Sequence, residues 1–100
     1  MTIRLGIVAT HDGADRQIEG LAQAAAHRGW PCRCFLTGSG VRLLRSAKLL
    51  EMARGGAIRL DVCEHSWGQF GDGPLPGGAI AASQYQNAEL AHLCDRVVVL

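Results

Sequence analysis

The feature that most constrains this chain is its alternation of short apolar runs with segments of helical period. Residues 3–9 form an apolar run broken only by Arg4, the pattern of a strand buried on both faces. Residues 15–28 then place Ile18, Leu21, Ala22 and Ala25 on one stripe and Arg16, Glu19, Gln23 and His27 opposite. That spacing predicts an amphipathic helix, with Asp12 or Asp15 capping its start and Gly29 ending it. A second strand is predicted over 31–36, a turn over 37–40, a helix over 43–54 ended by Gly55 and Gly56, and a third strand over 57–63. Residues 64–78 hold five glycines and two prolines, so most of this stretch is expected to be loop. A helix over 84–94, with Ser83 and Gln86 as a capping box, leads into a last strand over 96–100. Strands alternating with helices imply crossover units. The expected fold class is three-layer α/β, a mostly parallel sheet of four to five strands flanked by helices.

Bulk properties narrow the function classes. One hundred residues suffice for a single domain, expected to span 1–100. A net charge of +1 gives no reason to expect nucleic acid or a membrane surface as partner. No apolar stretch has the length of a membrane span. The first apolar run is too short for a signal segment and no basic segment precedes it, so a cytoplasmic location is expected. The four cysteines, Cys32, Cys34, Cys63 and Cys94, are then expected to be free thiols.

In parallel sheets, ligands sit beyond the carboxyl ends of the strands. That rule selects His11, the turn from Thr37 to Gly40, and Cys63 with the residues after it. Cys63 ends the third strand on the face of Arg59 and Asp61, opposite Ile58, Leu60 and Val62. Its thiolate would be an effective nucleophile. A protonated His65 would favour that thiolate and Glu64 would oppose it, while His11 is a weaker charge partner. Cys32 and Cys34 share one strand face and present two soft ligands, but no second pair completes a metal set. They read as buried thiols, and Cys94 reads as a core residue. Gly38-Ser39-Gly40 reads as a simple turn, so neither a metal nor an organic cofactor is expected. Trp67 and Phe70 are expected to cover the thiol, to pack between subunits, or to fold back on their own domain.

The order of these segments resembles the DsrE-like sulfur-relay family, which includes subunits of the DsrE, DsrF and TusD type. The resemblance rests on the helix ending His27-Arg28-Gly29, the Gly38-Ser39-Gly40-Val41 turn and the Val62-Cys63 strand end. It extends to Ala88-Glu89-Leu90 and the closing run from Cys94 to Leu100. It implies a cysteine, here Cys63, that accepts sulfane sulfur as a persulfide and relays it between a donor and an acceptor protein. It also implies homo-oligomers, trimeric or hexameric. The chain departs from the sulfur-carrying members after Cys63, where no arginine follows in Glu64–Gly71 and Ser66 stands where some members have a second cysteine. That departure motivates the alternative, a non-catalytic oligomeric binding or regulatory module on the same fold. Two further features point to oligomers. Arg33 lies among buried-type residues, and the 43–54 helix carries apolar residues on more than one side.

Overall fold

The computed structural model describes residues 2–100. Five strands, β1 (Leu5–Ala9), β2 (Cys32–Leu36), β3 (Arg59–Cys63), β4 (Ala79–Ala82) and β5 (Arg96–Val99), form one sheet in the order β4-β3-β2-β1-β5. All neighbouring pairs are parallel. Four α-helices, α1 (Asp15–His27), α2 (Ala47–Arg54), α3 (Glu64–Phe70) and α4 (Gln84–Leu93), connect them. The chain steps outward from β1 to β4, then α4 carries it back past β1 to β5. Crossovers of one hand send helices to opposite faces when the stepping direction reverses, and the packing follows that rule. Leu5, Ile7, Ala9, Cys34, Leu36, Leu60 and Val62 form one face and bury against Ile18 and Ala22 of α1 and Leu49 of α2. Phe35, Cys63 and Ala82 form the other and pack under Leu90 of α4.

The expected α/β architecture is present, and four segments differ from expectation. The predicted 43–54 helix is broken at Ser46: Gly38–Arg45 is a 3₁₀ helix and α2 begins afresh. Ser46 accepts the Leu49 N–H at 3.2 Å, so a side-chain cap competes with a continuous helix. Within 64–78, residues 64–70 are helical, and just beyond that stretch 79–82 add a fifth strand. Gly68 sits inside α3 with open space around it, and the helix turn is held instead by burying Trp67 and Phe70 against the core. Neither Asp12 nor Asp15 caps α1; Ala14 occupies the cap position without a side-chain bond, and Asp15 lies in the first turn. Cys94 is not core but a half-buried residue at the end of α4. The expected stops at Gly29 and Gly56 are both left-handed, with φ of 71° and 83°, a conformation that favours glycine. The Ser83–Gln86 box is formed: Ser83 N–H donates to Gln86 Oε1 at 2.8 Å, and Tyr85 N–H donates to Ser83 Oγ at 3.2 Å.

The two features taken as signs of an oligomer resolve inside the chain. Arg33 donates to Asp61 at 3.0 Å and to Glu89 at 2.9 Å. Leu43, Leu44 and Leu49 are buried in the domain's own core. Apolar exposure lies elsewhere, at Ile80, Val97 and Val99, on the face that α4 only partly covers. No helix is long and apolar enough to cross a membrane among the described residues.

Candidate functional site

Cys63 is at once the last residue of β3 and the residue before α3, with no loop between them. Register carries the site outward. Cys63 pairs with Ala82 at the end of β4, and α4 begins two residues later, so Gln84 stands over the thiol. Its amide Nε2 donates to Cys63 Sγ at 3.8 Å. On the other side, Ser66 is buried in the first turn of α3. Its Oγ accepts the Gly38 N–H at 2.9 Å and lies 3.5 Å from Thr37 Oγ1. A hydroxyl that accepts from Gly38 keeps its own proton to donate.

The thiol therefore titrates differently from the other three. Burial pushes Cys63 up, but hydrogen bonds from the Ser66 hydroxyl, the Ser66 N–H, the Gln84 amide and the His65 N–H bring it below the ordinary thiol value. These donors favour the charged form. Burial, with Cys94 nearby, pushes Cys32 up to about 11, and burial pushes Cys34 further still. Cys94 is also raised by burial. Cys63 is 5% exposed, which puts the sulfur just beneath the surface under Phe35, Ala82 and Leu90.

The partners are not those named from the sequence. The His65 side chain is exposed, and it is the residue's backbone N–H that acts on Cys63. His11 is exposed beyond β1, with β2 between it and β3 in the sheet. Its Nδ1 accepts the Gly13 N–H at 3.1 Å. The 37–40 turn is held by Gly40 N–H donating to Thr37 O and by Ser66. Its close packing requires glycine at 40, where a Cβ would lie 2.5 Å from Ala9 O. Trp67 and Phe70 pack back on their own domain: Trp67 Nε1 donates to Gly73 O at 3.0 Å, and Arg42 stacks on Phe70. Ser66 and Gln84 were missed as site residues. The first had the spacing of a residue facing the previous strand end, three positions into a helix, but that helix was not foreseen. Nothing local to Gln84 connects it to Cys63.

The arrangement surrounds a thiol with neutral donors that favour its ionised form, the form suited to nucleophilic attack or to carrying a sulfur atom. No protein-family model and no curated protein sequence matches the chain. The structure is similar to the crystal structure of the ychN protein from E. coli, with a TM-score of 0.70 and 18% sequence identity over 98% of this chain and 99% of that one. The chain thus shares its fold with the ychN protein along nearly its whole length.

Proposed function

We propose that this chain is a DsrE-like protein of intracellular sulfur metabolism that carries sulfane sulfur as a persulfide on Cys63. The observation that carries the reading is the contrast among the four thiols: Cys63 alone is brought toward the thiolate. The Cys63 thiolate attacks the outer sulfur of a donor protein's persulfide. One S–S bond breaks as another forms, and the donor leaves as a thiolate, so no external oxidant or reductant is required. An acceptor thiolate removes the sulfur in the same way. The active form is a homo-oligomer, a trimer or hexamer, in keeping with the apolar side chains exposed on the α4 side of the sheet. Incubation with a sulfane-sulfur donor followed by intact-mass measurement tests the reading. The expected result is one added sulfur atom on the wild type and none on Cys63→Ser. An unmodified, folded wild-type chain overturns it.

The low exposure of Cys63 favours the second reading, a non-catalytic binding module on the same fold. Under that reading Cys63→Ser leaves partner binding intact and the thiol takes up no sulfur.

A further inference from the structure

The end of the sheet opposite Cys63 holds a separate hollow of about 230 Å³. It opens between the starts of β1, β2 and β3 and the last turn of α4. Its apolar wall includes Leu5, Pro31 and Leu93, and three arginines also line it: Arg4, Arg33 and Arg59. No carboxylate lines it.

The hydrogen-bond inventory of these arginines is unbalanced. A guanidinium carries five N–H donors. One terminal nitrogen of Arg33 serves both Asp61 and Glu89, at 3.0 and 2.9 Å. Its Nε is the one buried side-chain polar atom left without a partner among the described residues. Buried donors in folded proteins nearly always have an acceptor. Arg59 spends its Nε on Asp61 at 3.1 Å, which leaves its terminal N–H groups available. Arg4 donates its backbone N–H to Asp95 at 2.8 Å, but its guanidinium meets that carboxylate at 3.5 Å. The carboxylates facing this region, Asp61, Glu89 and Asp95, are therefore each held by an arginine, and the surplus is in donors.

We propose that this hollow binds a small organic carboxylate. The terminal N–H groups of Arg59 take the oxygens, with Arg33 and Arg4 beside them, and Leu5, Pro31 and Leu93 take the apolar body. Planar guanidiniums match carboxylates in this way. Cys32 and Cys94 also line the hollow, and both thiols are raised by burial, so near neutral pH they add no opposing charge. The volume suits a ligand of about ten non-hydrogen atoms. This site lies at the amino ends of the strands and makes no use of Cys63.

The test is an NMR titration of the ¹⁵N-labelled full chain with benzoate, read on backbone amides and on arginine Nε–H signals, with benzamide as the uncharged control. The expected result is saturable shifts at Arg33, Arg59, Leu5 and Leu93, with benzamide roughly tenfold weaker. Arg59→Gln is expected to weaken benzoate by a similar factor, and Cys63→Ser to leave it unchanged. Arg59→Gln keeps Asp61 paired with Arg33. If its spectrum nonetheless shows a disturbed fold, Arg59→Lys decides, because it keeps the charge and loses the fork. Absence of saturable shifts at these residues, or equal binding of benzoate and benzamide, overturns the proposal. So does full-strength binding by a folded Arg59 variant.

Discussion

Ser66 shows how one hydroxyl couples a turn to a thiol. It receives the Gly38 N–H and favours the Cys63 thiolate. Ser66→Ala therefore removes a hydrogen bond and leaves a part-buried N–H unpaired, at a cost of about 1–2 kcal/mol. It also raises the Cys63 titration midpoint. The pH dependence of alkylation by iodoacetamide is expected to show a midpoint below the ordinary 9.0 in the wild type, moved upward in Ser66→Ala and in Gln84→Ala. An unchanged midpoint in both variants would remove these donors from the account. Cys32 gives the opposite sign. Its pKa is raised from 9.0 to about 11, so the native state holds a proton that the unfolded chain releases first. Its contribution to stability is whole below pH 9 and is lost as pH climbs to about 11. Urea midpoints should fall across that window, and less steeply in Cys32→Ala. At this scale Cys63 was legible in the sequence because a strand end has a known address. Its true partners were not, because Gly38, Ser66 and Gln84 meet only after β2, β3 and β4 align.

Among the elements, α4 depends most on its cap and on one glycine. The Ser83–Gln86 box satisfies its first turn, and Ser83→Ala is expected to cost about 1 kcal/mol, seen as a lower thermal midpoint. Its seat on the sheet requires Gly6. A Cβ there would lie 2.7 Å from Leu90 Cδ2 and 2.9 Å from Cys94 Sγ. Gly6→Val should lift α4 from β1 and destabilise by about 1–3 kcal/mol. Because α4 carries Gln84, hydrogen exchange in that variant should rise along α4 and the alkylation midpoint of Cys63 should move upward. Protection unchanged along α4 would show that the helix is held by its other contacts, chiefly the Arg33–Glu89 bridge. The helix was legible from its capping box, whereas its place on the far face of the sheet was not. That place follows from strand order, which is set by long-range pairing.

For the molecule as a whole, the sheet is covered unevenly. One face carries α1, α2 and α3, while the other carries α4 alone among the described residues. Ile80, Val97 and Val99 are left 45%, 43% and 67% exposed. Ile80 lies on the edge strand β4 and Val97 and Val99 on the opposite edge strand β5, and the proposed oligomer would cover them. Sedimentation of the wild type should show a species larger than 10.7 kDa. Ile80→Lys combined with Val99→Lys should return the monomer with its circular dichroism unchanged. A wild type that sediments as a monomer at micromolar concentration would refute the oligomer.

The sequence by itself determined the alternation of strands and helices, the glycine stops, the α4 cap and the position of Cys63 at a strand end. These are local matters of periodicity, backbone freedom and neighbouring side chains. Only the tertiary structure decided the strand order, the added strand β4, the helix at Glu64–Phe70 and the pairing of Arg33 with Asp61 and Glu89. It alone brought Ser66 and Gln84 to the thiol, because each depends on contacts between residues far apart in the chain, which no local pattern encodes.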